Sequence, residues 1–163
     1  MNQTGYSPKE LNFGKEGRDK LIRGINKIST AVKSTLGPSG NTVLIESPQH
    51  TRSLTVTKDG VTVAKSIDLM DPVENLAVRM MKEAADRTAT TAGDGTTTAI
   101  VLTEAIVKCA MEIFEKNPKH NKTEVLRELV NITNEVVREL KKKSKPVTKS
   151  KLKSVATISA NND

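Results

Sequence analysis

The sequence predicts a mainly α-helical fold with one small β-hairpin. Apolar residues recur at helical spacing in six stretches, from Lys15 to the last residues. Two short runs, Thr42–Ile45 and Leu54–Thr57, are instead rich in β-branched residues and flank a polar segment with Pro48. Aromatics are 2% of 163 residues, namely Tyr6, Phe13 and Phe114, so aliphatics and Met must fill the core. That length suits one ordinary domain, and 36% hydrophobic with 28% charged residues is polar without being disordered.

Ser7-Pro8-Lys9-Glu10 has the form of a capping box with Pro at the first helical position, and Gly14 soon interrupts it. From about Lys15, Leu21, Ile22, Ile25, Ile28, Ala31 and Val32 mark a helix face. Gly24 inside that helix costs about 1 kcal/mol against Ala unless packing needs the space. The helix runs into Thr35-Leu36-Gly37-Pro38-Ser39-Gly40, where Pro38 disfavours a helical Gly37 and a tight loop follows. The two strands come next, with an exposed turn expected over Ser47–Ser53.

Lys58-Asp59-Gly60-Val61 is a turn at a strand end, and Val61, Val63, Ala64 and Ile67 suggest a short helix ending before Asp68. Asp71-Pro72-Val73-Glu74 starts a cleaner helix, with an Asp cap, Pro first and Glu third. Its expected apolar face is Leu76, Ala77, Met80, Met81, Ala84 and Ala85, with the Met residues as core filler. The next helix, Ala99–Phe114, is apolar nearly all round and reads as a central buried element. Asn117-Pro118 ends it, and Asn121 offers a cap for a fifth helix striped by Leu126, Leu129, Val130, Val137 and Leu140. Beyond Pro146, Leu152, Val155 and Ile158 again have helical spacing.

Gly93-Asp94-Gly95-Thr96-Thr97-Thr98, between two helical patterns, is the densest polar stretch. Two glycines let the backbone turn and approach a ligand, and Asp94 can cap the next helix. The free N–H groups of that first turn favour an anion. A carboxylate beside a phosphate cradle is repulsive unless a cation lies between, so Asp94 suggests Mg²⁺. The competing reading is a polar, capped helix–helix turn.

The formal charge of +7 raises nucleic acid as a partner, but the charge is local. Lys141, Lys142, Lys143, Lys145, Lys149, Lys151 and Lys153 are seven of the 26 basic residues; without them 19 basic face 19 acidic residues. No aromatic accompanies the run, which reads as a solvated helix end and linker. Cys109 is alone, so no internal disulfide forms, and its apolar surroundings suggest a buried thiol. With His50 and His120 the only histidines, neither a thiolate–imidazole metal cluster nor a nucleophile–base pair is supported. There is no signal peptide and no apolar run of about 18 residues, so a soluble, intracellular chain without membrane contact is expected. P-loop and Rossmann glycine patterns are absent.

Three signals thus occur together: a Gly-Pro-x-Gly loop, a Lys-Asp-Gly turn and a Gly-Asp-Gly-Thr-Thr-Thr helix start. If they converge, they offer backbone donors, hydroxyls and two carboxylates, a set suited to a metal-bound polyphosphate. Thr35-Leu36-Gly37-Pro38, Thr57-Lys58-Asp59-Gly60-Val61, Ala92–Ala99 and Thr157-Ile158-Ser159-Ala160-Asn161 occur in this order and at these intervals in chaperonins. From about Phe13 the chain resembles the N-terminal portion of a group I chaperonin of the GroEL type.

The resemblance implies a chaperonin equatorial-domain-like helical bundle with a small β-hairpin element, incomplete in this chain. Residues 1–142 would be the N-terminal half of an equatorial, ATP-binding domain and 143–163 the start of the intermediate domain. The apical, client-binding domain would be missing. It further implies an ATPase that refolds unfolded client proteins in a homo-oligomeric double ring with a lid-like co-chaperonin. Its cofactors would be ATP, Mg²⁺ and a candidate K⁺, and its location the cytoplasm or an organellar matrix. By match of motif, Thr35, Leu36, Gly37, Pro38 and Lys58 lie at the nucleotide, and Gly95, Thr96, Thr97 and Thr98 hold phosphates. Asp94 holds Mg²⁺, and Asp59 is the catalytic residue that positions the hydrolytic water.

The chain departs from the family at Ser39, where a basic residue is common, in its basic Lys run, and by two extra residues around Pro118–Thr123. The alternatives are a non-catalytic chaperonin-like piece acting only through subunit interaction, or a basic nucleic-acid binder using Lys141–Lys153. By itself the chain is expected to be marginally folded or self-associating, without steady ATP turnover.

Overall fold

A computed structural model describes residues 10–37, 39–46 and 54–159. Six helices and one hairpin occur among them: α1 (Gly14–Lys33), β1 (Val43–Glu46), β2 (Leu54–Thr57), α2 (Gly60–Ser66), α3 (Pro72–Ala92), α4 (Thr96–Lys116), α5 (Lys122–Lys143) and α6 (Lys149–Ser159). The chain divides into two units, Met1–Cys109 and Ala110–Asp163. The expected capping box at Ser7–Glu10 and the turn over Ser47–Ser53 lie wholly or mostly outside the described residues.

The core of the first unit is aliphatic, as the shortage of aromatics requires. Ile25, Ile28 and Val32 of α1 meet Val63 and Ala64 of α2, Ala77, Val78, Met81 and Ala85 of α3, and Ile100 of α4. Gly24 makes the α1–α3 approach possible. A Cβ there would run into the Glu74 carbonyl oxygen and lie 2.9 Å from Glu74 C. The propensity that Gly24 gives up is therefore exchanged for helix–helix contact.

Antiparallel β1 and β2 pair in the register Val43↔Thr57, Leu44↔Val56, Ile45↔Thr55 and Glu46↔Leu54. Val43 and Ile45 pack against the core while Leu44 and Glu46 face out, the alternation that the strand period imposes. Asp71 caps α3 as expected, its Oδ1 accepting from Val73 N (2.8 Å) and Glu74 N (3.1 Å), with Pro72 opening the helix.

Four expectations are corrected. The buried stripe of α3 is Glu74, Ala77, Val78, Met81 and Ala85, whereas Leu76 and Met80 are exposed. The close approach at Gly24 turns the Glu74 side of α3 inward, and Leu76 and Met80 lie on the opposite side. Glu74 does not close a capping box; it is buried and accepts from Arg23 Nε (2.9 Å) and Lys27 Nζ (2.5 Å) of α1. Those two cations hold its carboxyl below the ordinary glutamate range, Lys27 contributing most.

Helix α4 is not covered all round. Its buried residues are Thr96, Ile100 and Glu104, one stripe at spacing four, while Leu102 and Ile106 stay exposed. Cys109 is exposed as well, contrary to the buried thiol expected. Apolar composition shows that a helix can be buried, but only neighbouring elements bury it, and here they line one face.

In the second unit, Asn121 caps α5 by accepting from Thr123 N (3.0 Å). The apolar stripe of α5 is exposed, Leu126, Val130, Val137 and Leu140 included. Lys141, Lys142 and Lys143 form its last turn, where cations meet the carbonyl end of the helix. No described helix is long and apolar enough to cross a membrane.

Candidate functional site

The turn between α3 and α4 uses both of its glycines in left-handed conformation. Gly93 (φ 75°) closes α3 by donating to Ala89 O (2.9 Å), and Gly95 has φ 84°. Gly95 O accepts from Ala99 N (2.9 Å), so Gly95 holds the cap position of α4. It has no side chain to cap with. Among the described residues nothing accepts from the N–H groups of Thr96, Thr97 and Thr98. Helices α2, α3 and α5, by contrast, are capped by Asp59, Asp71 and Asn121.

The expected capping role of Asp94 is therefore corrected. The left-handed Gly95 shifts the helix start by one residue and leaves Asp94 one position too early. Asp94 Oδ1 accepts from Gly95 N (2.6 Å), and the carboxylate is exposed with Oδ2 unengaged among the described residues.

The loop after α1 reaches the same place. Thr35 is held by its own helix end, its N and Oγ1 donating to Val32 O at 3.1 and 2.8 Å. Leu36 N donates to Lys33 O (3.1 Å), Gly40 N to Gly37 O (3.0 Å) and Asn41 N to Ser34 O (2.7 Å), which closes the loop. Gly60, the first residue of α2, is where the pieces meet. A Cβ on Gly60 would collide with Thr97 Oγ1 and lie 3.3 Å from Thr35 Oγ1. The Thr35 loop, the Lys58-Asp59-Gly60 turn and the first turn of α4 thus converge, and any side chain at position 60 would have to displace the Thr97 hydroxyl.

Asp59 caps α2 with both carboxylate oxygens. Oδ1 accepts from Val61 N (3.2 Å), and Oδ2 accepts from Thr62 N (3.0 Å) and Thr62 Oγ1 (2.6 Å). Burial pushes its carboxyl up, but the donors of Thr62 and Val61 outweigh this and hold it below the ordinary aspartate range. Asp59 is thereby an oriented, ionised group.

Not every expected residue converges. Thr97 stands at Gly60, Thr96 is buried in the stripe with Ile100, and Thr98 is exposed. Leu36, Gly37 (φ 81°) and Lys58 are exposed, and Pro38 lies outside the described residues. Among the described residues no cluster of three or more metal-ligating side chains forms.

Sequence reasoning missed Glu104. Two turns after Thr96 on the same stripe, it is buried, with Lys108 Nζ 2.6 Å from Oε1 and Lys33 Nζ paired to Oε2. Burial alone would raise its carboxyl; the two ammonium groups reverse this and lower it. The available signal was a carboxylate at spacing eight from Thr96 inside an apolar run.

A model of the TCP-1/cpn60 chaperonin family matches residues 28–163. The chain belongs to this family. Among solved structures, this chaperonin chain is similar to the chaperonin gp146 from the bacteriophage EL 2 (Pseudomonas aeruginosa), crystallised in presence of ATP-BeFx. In crystal form II the identity is 33% and the TM-score 0.77, over 92% of this chain and 26% of gp146. In crystal form I the values are 32% and 0.76 over the same shares. The chaperonin chain thus spans about a quarter of gp146, and its mainly helical fold with one hairpin is the equatorial-domain-like fold class that the resemblance implied.

Proposed function

We propose that this chain is the N-terminal, ATP-binding portion of a group I chaperonin subunit, and that Mg²⁺-ATP binds where Thr35, Gly60 and Thr97 meet. The observation that carries this reading is the convergence at Gly60, beside an α4 N-terminus whose first three N–H groups are unpaired among the described residues. Those donors, with the helix dipole behind them, favour phosphate oxygens. The donor set also fits the metal: the free oxygen of exposed Asp94 stands one residue before the turn. Mg²⁺ held there would offset the repulsion between that carboxylate and the phosphates.

In this reading Thr97 and Thr35 supply hydroxyls, Leu36 and Gly37 line the nucleotide, and Lys58 adds positive charge. Asp59, held ionised by its three donors, would position the attacking water. The similar structure obtained in presence of ATP-BeFx supports the reading.

The remaining functions extend from there. Residues 1–142 belong to the equatorial domain and 143–163 open the intermediate one. Hydrolysis drives refolding of unfolded clients in a homo-oligomeric double ring with a lid-like co-chaperonin, in the cytoplasm or an organellar matrix, with K⁺ as a further ion. The Lys141–Lys153 run is a solvated helix end and hinge.

The test is titration of the chain with ATP up to millimolar concentration, with and without Mg²⁺. Asp94→Ala is expected to remove the Mg²⁺ dependence. Gly60→Ala should weaken binding about tenfold by displacing the Thr97 hydroxyl, roughly the worth of one or two hydrogen bonds. Affinity for Mg²⁺-ATP unchanged in both variants would refute the site.

A further inference from the structure

We propose that Glu104 is a positioning residue for the nucleotide: through Lys33 it fixes where the Thr35 loop stands relative to the first turn of α4. The inference rests on the nucleotide reading above.

The mechanical link can be followed residue by residue. Lys33 is the last residue of α1, and its carbonyl accepts Leu36 N (3.1 Å) while the adjacent Val32 carbonyl accepts both Thr35 N and Thr35 Oγ1. The loop therefore hangs on the backbone of Val32 and Lys33. The Lys33 ammonium in turn pairs with Glu104, which lies on the buried stripe of α4 two turns from Thr96. One rigid helix carries both the phosphate-type turn and the anchor of the loop that faces it.

The surroundings leave this anchor to ionic contact. Asn26 and Ser29 lie on the face of α1 that carries Lys33, at spacings seven and four from it. Asn26 Oδ1 and Ser29 Oγ are buried without a hydrogen-bond partner among the described residues, and so is Glu104 Oε2, whose contact with the Lys33 ammonium is an ion pair. No other hydrogen bond or ion pair joins α1 to α4 among the described residues. The apolar contact of Ile100 in the core has no preferred direction, whereas the buried Glu104 carboxylate lies between the ammonium groups of Lys33 and Lys108. Desolvation makes such a group a weak source of net stability, so its effect is register more than strength.

Glu104 has two cationic partners, and they separate the two roles. Lys33 leads to the loop; Lys108 is one turn along α4 itself and leads nowhere near it. Lys33→Met, Lys33→Arg, Glu104→Gln and Lys108→Met are titrated with Mg²⁺-ATP, and the urea midpoint of each is recorded as a check on folding. Lys33 is half-exposed, so Lys33→Met carries the test if Glu104→Gln fails to fold. Loss of an outer-shell partner that orients a metal ligand commonly weakens affinity about 10–100-fold, and the anchor of a ligand-facing loop calls for an effect of the same order. Lys33→Met and Glu104→Gln are expected to show such a loss, Lys33→Arg to recover most of it, and Lys108→Met to match the wild type. Equal losses in Lys33→Met and Lys108→Met, or no loss in Lys33→Met, would overturn the inference while leaving the nucleotide site standing. Failure of the wild-type chain itself to bind Mg²⁺-ATP would overturn both.

Discussion

Gly24→Ala sets two known effects against each other in one helix. In an isolated helix the change should stabilise by about 1 kcal/mol, because Ala loses less backbone entropy than Gly. Here the new Cβ would collide with the Glu74 carbonyl oxygen and stand 2.9 Å from Glu74 C and 3.0 Å from Glu74 Cα. All of these are backbone atoms of α3, so no rotamer change relieves the clash. The helices must separate, and a gap of 0.5–1 Å forfeits roughly a quarter to a half of each contact's attraction. The contacts affected include Ile25, Ile28 and Val32 against Ala77, Val78, Met81 and Ala85. Overpacking of this kind costs about 1–3 kcal/mol. Taking the upper part of that range, since only backbone can yield, the net loss is about 1–2 kcal/mol after the propensity gain. With a urea slope of about 2 kcal/mol per molar, the midpoint should fall by about 0.5–1 M. Gly17→Ala is the control. The three atoms nearest its Cβ would all be of Asn12, at 3.2–3.4 Å, in a segment without helix or strand that can give way. It should be neutral or raise the midpoint slightly. A higher midpoint for Gly24→Ala than for wild type would refute the claim that α1 and α3 touch backbone to backbone.

Three further outcomes are expected. Asp59→Asn keeps a good helix cap but loses the charge, so folding and nucleotide binding should survive while hydrolysis in a ring-forming subunit slows by a few powers of ten; turnover at the wild-type rate would remove Asp59 from the chemistry. Asp59 and Glu104 both have lowered pKa values when folded, so as pH falls the unfolded chain takes up their protons first. Their stabilisation is complete above the ordinary carboxylate range and is lost as pH falls through the folded values. The urea midpoint should thus drop below about pH 4.5, and less steeply in Glu104→Gln; an identical slope in that variant would exclude Glu104 as a contributor. Cys109 should react completely with a thiol reagent in the native chain at neutral pH, whereas protection until unfolding would contradict its exposure.

Local chemistry was legible in the sequence. Asp71 with Pro72 and Asn121 with Thr123 mark helix starts because a cap needs only residues within three positions. The β-branched runs gave the hairpin, and the glycines of Gly93–Gly95 marked a turn needing positive φ. The same short range explains why the three motifs could be singled out one by one, and why their order and spacing pointed to the chaperonin family. Which way each helix faces was not legible. Leu76 and Met80 look as fit for the core as Met81, and Cys109 as fit as Ile100, until α1 and α3 meet at Gly24 and fix the inward side. Glu104 had no meaning in the sequence, since Lys33, the partner that gives it one, is 71 positions away. Gly60 looked like an ordinary turn glycine; only the approach of Thr35 and Thr97 from either side makes a side chain there displace a hydroxyl. Caps, turns and strand propensity are set by neighbours along the chain, whereas burial and convergence are set by neighbours in space, which long-range packing alone decides.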